Sequence, residues 1–469
     1  MSPLLDALLD LLAGWRTVFP QKRTVARALR LALAQVLTPG CRTISRIIAA
    51  CGLDQKDWSA DYRVFSRSPW QQQRLFDVPI AAGLEYFAGR DHISVAGDFT
   101  HVAKTGKHIP NVHCMRDPMS PAFHPNLIYG LRFIQYTMLL PLYGNSDDGD
   151  DGDGVPPRSI PVCFNELPAL KKPGSKASAE EKSEYKALQR KRLTNRKALE
   201  DLCRLRGYFD AAGAADKDLL TALDGSFFNR VFFGAKLDRI EIVARGRKDA
   251  ALCFAAKPGS RRFYSIETFT PESVRTDEDR PWKTAGCFHG GAWRDIRYKE
   301  ITGVFWRSGA KRRPLRLIVL ASIPYRNSPN GKTNYRQPAY LFTTDLKRPV
   351  EAIIQCYLDR WQIEVNHREE KSNFGVGDAQ VRNPNSVPRQ PAFVVAIYAM
   401  MLLAAQKAYG SGRADAYVPL PKWRKGARRP SCQDIVSQLR REMDAQPGKL
   451  KDFATRIDVI AAATFRAAA

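Results

Sequence analysis

The stretch Tyr357-Leu-Asp-Arg360-Trp-Gln-Ile-Glu364-Val-Asn-His367-Arg-Glu-Glu-Lys371 contains neither Pro nor Gly and reads as helix. At about 100° per residue, Arg360 falls near 300° from Tyr357, Glu364 near 340° and Lys371 near 320°. One phenol, one guanidinium, one carboxylate and one ammonium therefore share a stripe about 60° wide. Such a stripe suits a surface that must hold both a cation and a phosphate backbone.

The charge balance points the same way. The 469 residues carry 73 Lys and Arg against 48 Asp and Glu, a formal net charge of +25. An excess of this size on a chain that is 44% hydrophobic favours a polyanionic partner over a generic basic protein. The nine cysteines (41, 51, 114, 163, 203, 253, 287, 356 and 432) are scattered and form no C-x-x-C pair. They read as reduced thiols, with neither a zinc module nor a disulfide framework. The opening leucine-rich stretch is interrupted by Asp6 and Asp10 and lacks a basic start, so it reads as an amphipathic helix rather than a signal peptide. The uncharged run from Pro391 to Ala405 falls short of the roughly 20 residues of a bilayer span and reads as a buried helix. A cytoplasmic, nucleoid-associated protein with no membrane partner is the expectation.

Residues 1–90 read as helices with short turns. The segment from Thr43 through the turn at Gly52 to a second helix near Ser59–Arg67 is a possible helix-turn-helix. Residues 91–254 read as three strands (Ile93–Asp98, Arg132–Leu140, Ser159–Phe164), a long charged helix (Ala179–Asp210) and two strands (Leu219–Leu223, Arg239–Ala244). That is the element order of an RNase H-like α/β core. The Asp-Gly run at 144–154 does not fit the EF-hand spacing in any register and reads as a solvated hairpin loop. Residues 255–345 are strand-rich, clearest at Leu315–Ala321 and Tyr340–Thr343, and suggest an insertion domain. Residues 346–410 return to the core with the quoted helix, and 411–469 form a basic helical tail. Its segment Pro421–Pro430, with Trp423 among basic residues, suits phosphate contacts as well as it suits a solvated loop.

Asp98 and Asp224 each end an expected strand, and Glu364 lies on the later helix. A lone Asp at a strand end is more often a turn former. Order, placement and the helix together single these three out from Asp91, Asp218, Glu369 and Glu370.

Y-x2-R-x3-E-x6-K, carried here by Tyr357, Arg360, Glu364 and Lys371, resembles the signature of bacterial insertion-sequence transposases of the DDE type, in the IS-four superfamily. The following stretch, Gly375–Arg382, is also similar to that family. The resemblance spans most of residues 93–405 and is sharpest at 357–382. It implies that Asp98, Asp224 and Glu364 are catalytic and bind two divalent cations, Mg²⁺ with Mn²⁺ as substitute. Oxygen ligands and a phosphate substrate suit those ions. It further implies that Tyr357, Arg360 and Lys371 contact phosphates near the cut, and that a strand-rich insertion supports a DNA hairpin. Lys104 and Arg382 are further candidates for DNA contact, and Trp293 and Trp306 (with Trp282 nearby) for stacking on a base. Lys107 and His108 fit an exposed basic turn as well as DNA, and His367 reads first as a plain surface or core histidine. One departure stands out: Asp98 is followed by Phe99, where many relatives place a small hydroxyl residue.

The function implied is cut-and-paste transposition: binding of terminal inverted repeats in double-stranded DNA, cleavage through a hairpin, and joining to target DNA by a homodimeric synaptic complex. The alternatives are a non-catalytic DNA-binding regulator or domesticated derivative, and a metal-dependent nuclease without strand transfer.

Overall fold

The computed structural model describes residues 2–446 except 56, 118, 119, 122, 144–153, 171, 192, 327–330 and 425. The expected loop at 144–154 and the end of the basic tail, 447–469, therefore lie almost wholly outside the described residues.

The fold is α/β, organised on one ten-stranded mixed sheet. Its first half comprises β1 (His92–Ala103), β2 (His113–Arg116), β3 (Leu127–Leu140), β4 (Arg158–Glu166), β5 (Asp218–Leu223) and β6 (Ile240–Arg245). β3 pairs antiparallel with β1, β2 and β4, whereas β5 runs parallel to both β1 and β6. β1 does not stop at Asp98. The apolar pattern continues through Val102, and the long β3 keeps pairing as far as Ala103 opposite Gly130, so Asp98 sits within the strand.

The later strands are β7 (Lys283–His289), β8 (Ala292–Val304), β9 (Leu315–Leu320), the short pair β10 (Pro324–Tyr325) and β11 (Asn334–Tyr335), and β12 (Ala339–Thr343). The region expected as an insertion domain does not build a separate sheet for its main strands. β12 pairs with β6, and β9, β8 and β7 follow outward, so they extend the same sheet.

Helices cover both faces. The N-terminal region is helical as expected: α1 (Pro3–Ala13), α2 (Lys22–Leu37), α3 (Ile44–Ala50), α4 (Ser59–Ser66) and α5 (Asp77–Leu84). The expected long charged helix appears as α6 (Ala179–Lys191) and α7 (Leu193–Phe209). Two short helices, α8 (Arg230–Phe233) and α9 (Pro271–Thr276), precede α10 (Val350–Asp359), α11 (Trp361–Phe374), α12 (Ser386–Tyr409) and α13 (Cys432–Ala445). α12 is apolar on every side, as a core helix is. It packs on β4, α1 and α2, and 78% of its most apolar window is buried. Among the described residues it is the one helix long and apolar enough to cross a membrane.

Alternation along β3 assigns the faces. Tyr136 points to α7, donating its hydroxyl to Ala198 O at 2.7 Å, while the adjacent Gln135 points to α11, donating to Glu370 Oε1 at 2.9 Å. A smaller core that includes Ala96, Leu220, Val243, Ile353, Ile354 and Ile363 seats α10 and the start of α11 on the second face.

Candidate active site

The parallel pairing of β1 and β5 brings the first two acids together. Gly97 lies in register with Leu223, so the next residues along each chain are Asp98 and Asp224. Glycine is required at 97 by close approach: a Cβ there would stand 2.5 Å from the Tyr136 ring and 2.8 Å from Leu223. Asp224 leaves the sheet as the cap of a short turn, where its Oδ1 accepts from Ser226 N at 2.9 Å and Ser226 Oγ at 2.6 Å. Phe99 stacks on Phe227 of that turn at 4.5 Å, which gives the departure after Asp98 a packing role.

The third acid comes from the quoted helix, which is divided at Arg360 into α10 and α11. Arg360 keeps helical dihedrals, so the expected stripe persists across the junction. Its Nη2 lies 3.1 Å from Glu364 Oε1 and its Nη1 lies 3.9 Å from Asp98 Oδ2. Burial, reinforced by Asp224, pushes the Asp98 carboxyl up to about 7 against the opposing pull of Arg360. Burial also raises Glu364, again opposed by Arg360 and aided by Asp224. The Tyr357 phenol is raised by burial while sensing Arg360, Asp224 and Glu364. Burial lowers the Lys371 ammonium, which Glu370, Asp117 and Asp98 favour. All six residues picked from the helix pattern and the strand ends thus fall within electrostatic reach of one locus.

The rival acids have structural partners elsewhere. Asp91 accepts from Arg348 at 2.5 Å, and Asp218 pairs with the same guanidinium at 3.5 Å. Glu369 accepts from the Tyr398 hydroxyl at 2.6 Å, and Glu370 is bonded to Gln135. His367 is a core histidine whose Nε2 meets no partner among the described residues; burial holds it down to about 3, hence neutral.

The other expected DNA contacts differ in how the fold places them. Lys104 is only 4% exposed, and its Nζ donates to Gly377 O at 3.2 Å and Ala379 O at 2.7 Å. It points inward and ties the segment after α11 to β1, so it does not present a surface charge. Trp306 is packed face to face on Phe228 at 4.0 Å, and a Cβ at Gly309 would clash with its ring, so both of its faces are taken. Trp293 stands differently, half-buried and edge-on to Tyr143 and Phe288. Trp282 carries Arg297 and Lys299 over its ring. Arg382 is exposed on a groove shared with Tyr62 and Arg67 of the N-terminal region.

Beside the acids runs a cleft of about 990 Å³. Tyr357, Arg360 and Trp361 form one wall; Arg294, Arg326 and Arg336 stand on the other. Gln355 fixes that second wall: its Oε1 accepts from Phe288 N at 2.7 Å and its Nε2 donates to Phe288 O at 3.0 Å. The buried Asp359 accepts from Gln355 at 2.7 Å and from the Tyr143 hydroxyl at 3.3 Å, continuing the brace. Trp361 is 56% exposed, and Tyr335, on the β10–β11 pair, is 66% exposed. Arginines interleaved with exposed aromatics suit a nucleic-acid strand. Sequence reasoning passed over Trp361 and these arginines; the recurrence of Tyr-Arg at 325–326 and 335–336 was the available signal.

Among the described residues no three His, Cys, Asp or Glu side chains stand close enough to form a finished metal site. Instead the Arg360 guanidinium stands between Asp98 and Glu364, which places a cation between two of the three carboxylates. A donor set of hard carboxylate oxygens held by a cation in this way fits Mg²⁺ or Mn²⁺.

No family model matches the chain, and no curated protein matches it.

Proposed function

We propose that the chain is a DNA transposase of the DDE type that cuts its element from DNA and joins it elsewhere. The observation that carries this reading is the convergence of Asp98, Asp224 and Glu364 from two adjacent parallel strands and a later helix, with Arg360 set between two of them. The order β4-β3-β1-β5-β6, antiparallel in its first three strands and parallel in its last three, supports an RNase H-like core. The basic cleft and the net charge of +25 support a DNA substrate.

In this reading Asp98, Asp224 and Glu364 hold two Mg²⁺. When bound, these supply an activated oxygen nucleophile and stabilise the leaving 3′-oxygen. The chain's own groups do the rest. Arg360 forks onto a phosphate, Lys371 adds a point charge beside it, and Tyr357 lines the groove along which the strand lies. The cleft between Trp361 and the arginines of the opposite wall steers the strand and limits water at the phosphate. A homodimer pairs two ends on double-stranded DNA in the bacterial nucleoid.

The test is a joining assay with pre-cut ends, a supercoiled target plasmid and Mg²⁺. Joined product supports a transposase. Cleavage activity without any joining means a nuclease, and end binding with neither activity means a DNA-binding regulator.

A further inference from the structure

α6 spans 13 residues and buries none of its side chains. A helix of this length gains nothing from burial here and is marginal on its own in water. Local devices order it. Glu181 N donates to Ser178 Oγ at 3.1 Å and Ser178 N donates to Glu181 Oε2 at 2.8 Å, a capping box. Glu180 and Glu181 in the first turn, and Arg190 and Lys191 in the last, complement the helix dipole. The fold thus holds out a charged helix that its own core does not use.

The cations gather at the base of this arm. Lys186, Arg190, Lys191 and, at the start of α7, Arg196 are exposed, and their side chains make no hydrogen bond or ion pair among the described residues. That base lies at the catalytic end of the sheet. β4 ends at Glu166, in register with Phe133, which faces Thr100 just beyond Asp98. Arg230, shortly after Asp224, donates to Arg190 O at 3.5 Å. α7 packs on the sheet face that Tyr136 occupies, whereas α10, α11 and the cleft lie on the other. Two separate cationic surfaces therefore flank the three acids, one on each side of the sheet.

We propose that the α6 arm with the start of α7 grips the phosphate backbone of a second duplex, the target DNA, while the cleft along α10 and α11 holds the element end. This rests on the transposase reading, because joining requires two duplexes at one set of acids. Duplex DNA is the occupant that charge complementarity selects: unpaired exposed cations clustered at the end of α6 and the start of α7, with no apolar face on α6 to seat a protein.

The test is the full-length variant Lys186→Gln, Arg190→Gln, Lys191→Gln, Arg196→Gln. All four positions are exposed and Gln is a good helix former, so folding is retained. Joining of pre-cut ends to a plasmid is expected to fall at least about tenfold, with end binding and end cleavage within about twofold of wild type. The salt dependence of target capture should become shallower by about three to four, at roughly 0.9 per lost phosphate contact. Equal loss of end cleavage would overturn the assignment to the target duplex, and unchanged joining would overturn the arm altogether. A wild-type protein that neither cuts nor joins overturns the function itself. The arm is then read from binding to a non-specific duplex, where a shallower salt slope in the variant supports it and an unchanged slope overturns it.

Discussion

Arg360 Nη2 lies 3.1 Å from Glu364 Oε1, one helical turn away, and the other terminal nitrogen of the same guanidinium lies 3.9 Å from Asp98 Oδ2 on a different element. One side chain thus joins the signature helix to the central strand. Lys cannot span both acids with a single ammonium. Arg360→Lys is expected to lower end cleavage by roughly 10–100-fold, the cost of about 1.5–3 kcal/mol for a lost charged hydrogen bond. Arg360→Ala should be worse, and Kd for end DNA should rise in both. Cleavage by Arg360→Lys at the wild-type rate would show that the fork is not needed.

Glu364→Gln keeps the shape of the side chain and removes its charge. Cleavage should fall by roughly 10²–10³-fold or more, the scale seen when one preorganised charge-stabilising group is removed. End binding should stay within a few-fold. A gel-shift titration beside a cleavage time course distinguishes this from unfolding.

Glu370 offers a pH test on a group that is not itself a proposed metal ligand, although its partner Gln135 lies opposite Asp98 in the sheet. Burial raises its carboxyl to about 8 from an ordinary value of 4.5, with Gln135 as its partner. A group raised in the folded state contributes stability that is complete below its unfolded pKa and lost as pH climbs through the folded one. Wild-type stability should therefore decline between about pH 4.5 and 8 on this account. Glu370→Gln carries no such titration. The Tm of the variant minus that of wild type should grow across that window and level off above about pH 8. A difference that stays constant from pH 5 to 9 would rule out the buried neutral acid.

Lys104 and Trp306 separate packing from DNA contact. Lys104→Met leaves two carbonyls without their donor and should cost about 1–3 kcal/mol in urea unfolding, while the salt slope of DNA binding stays unchanged. Trp306→Ala removes a stacked ring and should cost about 3 kcal/mol. Trp293→Ala should instead act on cleavage or hairpin formation, with less effect on stability. The reverse pattern would return Trp306 to the DNA.

Much of the site was legible in the sequence because local period fixes it. Tyr357, Arg360, Glu364 and Lys371 lie within about four turns of helix, so their shared face follows from 3.6 residues per turn. Asp224 was placed correctly at a strand end because the apolar run Leu219–Leu223 stops there. What eluded the sequence depends on distant chain. Asp98 lies within β1 because β3 happens to be long enough to pair past it. Lys104 looked like a surface cation because nothing near it in sequence reveals that Gly377 and Ala379 will close over it. The main strands of 283–343 (β7, β8, β9 and β12) joined the main sheet because β12 found the edge of β6, a pairing that no local pattern encodes. The cleft arginines come from the start of β8 and from the two ends of the β10–β11 pair, and meet Arg360 only in the fold.

The most direct measurement is cleavage of a plasmid carrying this gene with its native flanks, in Mg²⁺ and in EDTA, beside an Asp224→Ala control. The account predicts breaks at discrete positions flanking the gene with Mg²⁺, absent in EDTA and absent in the control. Breaks that persist in Asp224→Ala, or wild-type protein that binds the flanks and never cuts them, would contradict it.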